Sequence, residues 1–237
     1  MDATGYITLS RQSGLLREFQ VIANNIANSA TTGYRQEGLI FSEYVKGDGK
    51  GDSISMAVAR AHNTSMVQGS LTRTEARLDL AIEGDGFFMV ETPQGQRLTR
   101  AGSFATSAEG ELVTPDGFRV LDAGGAPLFI PPDALDLSIG ADGTISAGGR
   151  NLGQIGLFLP ADIGAMTRED GVLFAPQGAV DPTFEARVLQ GFLESANVDP
   201  IGQMARMIEV QRGYELGQKL LDTEHERLRS ALTTLFR

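Results

Sequence analysis

The sequence predicts a mainly β central domain with a terminal antiparallel α-helical coiled-coil pair, that is, long N- and C-terminal helices around a β body. Eight of the nine prolines lie between Pro93 and Pro182, Pro200 is the ninth, and the first 92 residues contain none. Seventeen of the 29 glycines fall between residues 81 and 180. Apolar residues recur at helical spacing at the two ends. Proline and glycine punctuate turns and break helices, so the middle reads as turn-rich β structure and the ends as helix.

The N-terminal helix is predicted from about Gly5 to Asn28. Leu15, Phe19, Ile22 and Ile26 form one apolar stripe. Arg11, Arg17, Glu18 and Gln20 fall mostly off it. Gly33 can take a left-handed conformation beyond the last turn. At the other end Asp199 is a good N-cap, and Pro200 suits the first helical position. Met207, Tyr214, Leu221, Leu228 and Leu235 then recur at a strict step of seven, the repeat of a coiled-coil seam. The companion column reads Met204, Gln211, Gln218, His225 and Leu232, three of them polar. Polar members cost stability but can fix register and partner. At about 1.5 Å per residue this helix is roughly 50 Å long and the first about 35 Å. An antiparallel pair would therefore leave several turns of the second protruding.

Between Gln36 and Thr74 lies a zone with a low-complexity loop, Lys46 to Ser53, read as an irregular arm. From Leu78 the strand signals begin. Leu78, Leu80 and Ile82 alternate with Asp79, Ala81 and Glu83, and Phe87-Phe88-Met89-Val90 reads as a buried run. Leu112 to Leu121 carries a Pro-Asp-Gly turn, and Leu137 to Ile145 turns at Asp142-Gly143. Further strands are expected at 155–159, 171–175 and 186–189, a spacing that suits a sandwich or barrel-like domain. The expected division is 1–35 and 191–237 as paired terminal helices, 36–75 as an arm or linker, and 76–190 as an all-β domain.

The net charge of −10 argues against a nucleic-acid binder. Residues 76–190 hold 16 acidic and 7 basic residues, so the body is acidic and the two ends together nearly neutral. The chain has no cysteine, which excludes disulfides, thiolate metal sites and a cysteine nucleophile. The start, Met1 to Tyr6, is not a secretory signal, and no stretch approaches the roughly 20 apolar residues that span a bilayer. By themselves these facts place the chain in the cytoplasm, unless it is exported by a route that leaves its signal uncleaved.

Catalytic and metal chemistry find little support. His62 and His225 are the two histidines, and neither belongs to a metal-binding pair at helical spacing. No nucleophile elbow or phosphate loop occurs, and the Gly-Asp-Gly-Lys-Gly-Asp run fails the calcium-loop pattern at Lys50. Gly84-Asp85-Gly86 lacks the third glycine of a dinucleotide fingerprint. Glu83 and Asp85 could share a face and do acid–base work, but no His or Lys stands near them in sequence. No cofactor and no catalytic residue is expected. The apolar seams are the stronger signal, because much of them would stay exposed in a monomer, and exposed apolar surface marks interaction sites. The assembly interface is expected at Leu15, Phe19, Ile22, Ile26, Met207, Tyr214, Leu221, Leu228 and Leu235.

Three segments carry a family resemblance. Ala23-Asn24-Asn25-Ile26-Ala27-Asn28 through Thr32-Gly33-Tyr34-Arg35 is similar to the N-terminal signature of flagellar rod and hook proteins. Leu80 to Val90, with Gly84-Asp85-Gly86-Phe87-Phe88, resembles their central segment. It is followed in the family's order by Leu98-Thr99-Arg100-Ala101-Gly102-Ser103-Phe104 and by Gly110 to Gly117. Leu193-Glu194-Ser195-Ala196-Asn197-Val198-Asp199 and Met207 to Glu215 look like the C-terminal signature. The chain thus resembles the flagellar basal-body rod protein family over nearly its whole length.

That resemblance implies a structural subunit polymerising through its terminal helices, which form an inner tube with the β domain outside. It implies copies of itself and other rod proteins, proximal and distal, as neighbours. Export through the flagellar type III apparatus without a cleaved signal peptide, and a place in the periplasmic rod of the basal body, follow from the same likeness. The short length and single β domain favour a proximal-rod member, with a distal-rod member as the near alternative. Rivals from other classes are a soluble β-domain binding module with a coiled-coil stalk, recognising a saccharide or peptide, and an acid–base hydrolase using Glu83 and Asp85.

Overall fold

The computed structural model describes residues 3–47, 53–131, 134 and 136–235, so the glycine-rich run at 48–52 lies outside the described residues. The chain divides into two compact units: Met1–Ala27 with Glu37–Ser65 and Asp199–Arg237, and Asn28–Gln36 with Met66–Val198.

The first unit holds helix α1 (Ala3–Ala27), strands β1 (Glu37–Gly47) and β2 (Ser53–Thr64), and helix α2 (Pro200–Leu235). The strands pair antiparallel from Glu37↔Thr64 to Gly47↔Ser53, with a register shift at Ile40/Phe41. A lone two-stranded hairpin is marginal in water, and here α1 packs along both strands. Asn25 fastens the start of β1. Its Oδ1 accepts from the Glu37 N–H at 2.9 Å, and its Nδ2 donates to the Glu37 carbonyl at 2.8 Å. The buried amide thus supplies the donor and acceptor that a neighbouring strand would offer. At the start of α2, Asp199 Oδ1 accepts from the Ile201 N–H at 3.1 Å, satisfying an orphan helix donor ahead of which Pro200 has none to lose.

The second unit is β-rich. Strands β3 (Leu71–Arg73), β4 (Leu80–Glu83), β5 (Phe87–Thr92) and β6 (Gly95–Thr99) open it. The largest sheet has nine strands. Its path runs Thr167–Asp170, Leu173–Ala175, β6, β5, Arg119–Val120, Leu112–Val113 and Ala105–Thr106, and Leu157–Pro160 also pairs with β5. β4 pairs with Arg187–Gln190, β3 with Phe192–Glu194, and 137–154 forms a three-stranded sheet. β5 shows why Phe87-Phe88-Met89-Val90 is apolar throughout. Side chains alternate across a strand, so Phe88 and Val90 enter one buried cluster with Leu80, Leu112 and Ile155, while Phe87 and Met89 enter another with Leu98, Phe158 and Phe174. A strand buried on both faces loses the apolar–polar alternation of an exposed sheet.

The expected fold class requires correction at the termini. The described residues contain one N-terminal and one C-terminal α-helix, and no coiled-coil pair. The reason lies in the residue columns of α2. Among the described side chains of α2, the half-buried positions are Gln203, Met207, Gly213, Tyr214, Gly217, Leu221 and Glu224, and Val210 is buried. The column beside the seven-residue repeat is therefore Gln203, Val210, Gly217 and Glu224, not Met204, Gln211, Gln218, His225 and Leu232, all of which are exposed. A coiled coil inserts an apolar knob at each position of both columns. Polar residues and a glycine at three of these four leave a side-by-side helix contact instead. The coiled-coil stalk of the rival binding module falls with it.

Candidate assembly surface

The α1–α2 contact runs antiparallel. Gln12 Nε2 donates to the Tyr214 carbonyl at 3.2 Å, Asn25 Nδ2 reaches Gln203 Oε1 at 3.3 Å, and Arg206 Nη2 lies 2.7 Å from Glu18 Oε1. The hydrogen bond to Glu18, then that to Glu209, raises the Arg206 pKa above its ordinary value. Exposed pairs of this kind contribute at most about 1 kcal/mol, so the contact rests chiefly on packing. Two glycines set its closeness. A Cβ added at Gly213 would sit 3.6 Å from Leu15 Cδ1, and one at Gly217 would sit 3.0 Å from Gln12 Nε2.

The sequence-predicted interface residues distribute unevenly about this contact. Ile22 is buried; Leu15, Phe19, Ile26, Met207, Tyr214 and Leu221 are half-buried. The side chains of Leu228, Leu235 and His62 lie outside the described residues. Leu15 and Phe19 meet Tyr214 in an apolar groove of about 320 Å³, also lined by Leu16, Val210 and Gln211. On the other side of the contact Leu15 lines a second groove with Gly213, Leu216, Gly217 and Leu220. Among the described residues, the exposed large apolar side chains of the helices are others: Leu9, Leu16, Ile201, Met204, Ile208, Leu216, Leu220 and Leu232. The seven-residue repeat selects the inward seam; of the outward set on α2 its companion column contains Met204 and Leu232, and it leaves out Ile201, Ile208, Leu216 and Leu220.

The second unit contains a site that the spacing arguments missed. Arg35 Nη2 lies 2.9 Å from Glu194 Oε1, and Arg100 Nη1 lies 3.2 Å from Glu194 Oε2. All three side chains are at most 3% exposed. Glu194 Oε1 also accepts from the Gly69 N–H at 2.9 Å, while Arg100 Nη2 donates to the Gly84 carbonyl at 2.7 Å and Arg35 Nη1 to the Val67 carbonyl. The Arg100 guanidinium stacks over Phe87 at 5.3 Å, and that of Arg168 lies 4.5 Å from the Tyr34 ring. Burial pushes the Arg100 pKa down to about 10, against the opposing pull of Glu194, and lowers that of Arg35 for the same reason. Asn197 completes the site. It accepts from the Gln36 N–H at 2.5 Å and donates to the Val67 carbonyl at 2.7 Å. The conformational key is Gly33, at φ +70°, where a Cβ would fall 2.3 Å from the Ala101 nitrogen. Charged residues inside otherwise apolar or small-residue motifs, Tyr34-Arg35, Thr99-Arg100 and Leu193-Glu194, are the sequence signal that could have found them.

Glu83 and Asp85 are exposed, and Glu83 sits opposite Arg187 in the β4 ladder. His225 is exposed on α2. Among the described residues no group of three His, Asp or Glu side chains could hold a metal ion, and no helix is long and apolar enough to cross a membrane.

Comparison with known proteins agrees with the motif positions. The profile of the flagella basal body rod protein family matches residues 6–35, that of the flagellar hook protein FlgE/F/G D1 domain residues 81–147, and that of the flagellar basal body rod FlgEFG protein C-terminal region residues 189–234. The chain is 39% identical to the flagellar basal-body rod protein FlgF of Caulobacter vibrioides over 99% of its length and 98% of the relative's. It is 36% identical to FlgF of Rhizobium meliloti over 97% and 96%. FlgG of Bacillus subtilis is 32% identical over 93% and 94%. With its N-terminal helix, its charge-locked β unit and its C-terminal helix all matched in order, the chain belongs to the flagellar basal-body rod proteins, a structural family and not an enzymatic one.

Proposed function

We propose that this chain is a proximal-rod subunit that polymerises through its terminal helices into the drive shaft of the flagellar motor. The observation that carries the reading is identity to FlgF relatives over essentially the whole chain, higher than to the FlgG relative. The exposed apolar side chains of α1 and α2 supply surface for burial between subunits. On this reading the helices form the inner tube and the β unit faces outward. Leu15, Phe19, Ile22, Ile26, Met207, Tyr214, Leu221, Leu228 and Leu235 then divide between contacts within the chain and contacts to neighbours. Those neighbours are further copies and the adjoining rod proteins. The subunit reaches the periplasmic rod through the flagellar type III export apparatus and keeps its N-terminus.

Deletion of the gene, with basal bodies viewed by electron microscopy, tests this. Truncated rods and loss of swimming are expected, and full motility of the deletion strain would refute the role. Complementation with a chain carrying Leu221→Asp and Leu228→Asp should fail while the β unit stays folded. The distal-rod reading predicts instead a rod that retains its proximal part and ends short of the hook.

A further inference from the structure

We propose that α2 joins copies of this chain side by side through two different flanks, at a stagger of twelve residues. The inference rests on the polymerising role above and adds its register.

Helix α2 is apolar in three directions. At about 100° per residue, Met207, Val210, Tyr214 and Leu221 define the face toward α1. Ile201, Met204 and Ile208, exposed to 80%, 51% and 52%, define a first flank in the opening turns. Leu216 and Leu220, exposed to 67% and 48%, define a second flank further along. The three directions are roughly 120° apart. A two-fold dimer buries one patch against itself, whereas two unlike patches on different flanks make head-to-tail contacts that continue from copy to copy.

The register follows from matching the flanks of parallel neighbours. Met204 to Leu216 and Ile208 to Leu220 are both steps of twelve. The same step brings Ile201 level with Gly213, a glycine gap beside a bare knob. It also brings Arg212 level with Glu224 and Glu215 level with Arg227, two opposite-charge pairs. Glu224 and Arg227 already pair along their own helix at 2.8 Å, so the four charges alternate around one point. One turn less keeps Ile208 against Leu216 but sets Met204 against Arg212, and one turn more keeps Met204 against Leu220 but sets Ile208 against Glu224, so twelve is the step of the three that matches both apolar pairs. Twelve residues correspond to an axial step of about 18 Å between lateral neighbours. The occupant of each flank is therefore the other flank of a second copy.

The cysteine-free chain allows a direct test. Full-length Met204→Cys protein is mixed with tagged full-length Leu216→Cys protein and oxidised, and Ile208→Cys serves as the off-register partner for Leu216→Cys. The mixed Met204→Cys/Leu216→Cys sample should cross-link at least tenfold more than either protein alone and than the off-register mixture. Equal yields, cross-linking of one variant with itself, or no cross-linking overturns the proposal. The cross-link reads the contact between copies whether or not the deletion strain swims, so it fails independently of the rod assignment. In the deletion strain, Arg212→Glu with Glu215→Arg should abolish swimming, as should Glu224→Arg with Arg227→Glu, and the fourfold exchange should restore it. A fourfold variant no better than either double variant, with its protein present and folded, also overturns the register.

Discussion

Arg35 and Glu194 come from opposite ends of the chain and meet as a buried ion pair, Nη2 to Oε1 at 2.9 Å, each 1% exposed. Arg100 shares the same carboxylate. One negative charge thus stands between two guanidinium groups in a site closed to water. Removing one partner of a buried pair leaves an uncompensated charge and costs about 3–5 kcal/mol. Glu194→Gln should reach that range, because it leaves two cations facing each other. Arg35→Gln should cost less, since Arg100 and the Gly69 N–H still satisfy Glu194. Urea unfolding of the two variants checks the order; equal losses would mean the carboxylate does not organise the site.

Gly33 faces the same site from the backbone. Its φ of +70° is strained for any residue with a side chain, and an added Cβ would overlap the Ala101 amide at 2.3 Å. Left-handed strain and overpacking each cost roughly 1–3 kcal/mol. Gly33→Ala should therefore destabilise by about 2–6 kcal/mol. A melting temperature within a degree of the parent would contradict the close approach.

On α2 the two glycines should separate. Alanine is favoured over glycine in a helix by up to about 1 kcal/mol, and the Cβ at Gly213 meets Leu15 at an ordinary 3.6 Å. Gly213→Ala should stabilise the first unit by several tenths of a kcal/mol. Gly217→Leu should instead drive α1 away at Gln12 and lose the Gln12–Tyr214 bond. Circular dichroism melts and exchange of the α1 amides with deuterium report both outcomes.

A local pH test concerns the turn at Asp142. Donation from the Thr144 hydroxyl at 2.7 Å, then from the Thr144 N–H at 3.0 Å, holds the Asp142 carboxyl below its ordinary 3.8. A depressed carboxylate contributes stability that is complete above the unfolded pKa and is lost as pH falls through the folded one. Thr144→Val removes the larger cause, so the Asp142 carbon resonance should titrate at higher pH than in the parent. An unchanged titration would show that the backbone donor suffices.

The linear sequence was sufficient for much of this. Helical stripes, the Asp199-Pro200 start of α2, the turn glycines Gly117 and Gly143 and the apolar run of β5 are local patterns, each set by backbone sterics or by the burial of neighbouring side chains. The motifs at the two ends and in the middle identified the family. Tertiary structure decided what the patterns left open. The seven-residue repeat from Met207 is real in sequence, yet which column lies beside it depends on where α1 comes to rest, and that placed Val210 and Gly217 inside and Met204 outside. The meeting of Arg35, Arg100 and Glu194 depends on chain closure between residues far apart, for which no local spacing codes. The described heptad residues Met207, Tyr214 and Leu221 lie half-buried beside α1, while Leu9, Leu16, Ile201, Ile208, Leu216 and Leu220, which the stripe and the seven-residue repeat leave out, stand exposed, because no local spacing states which face of a helix its partner covers.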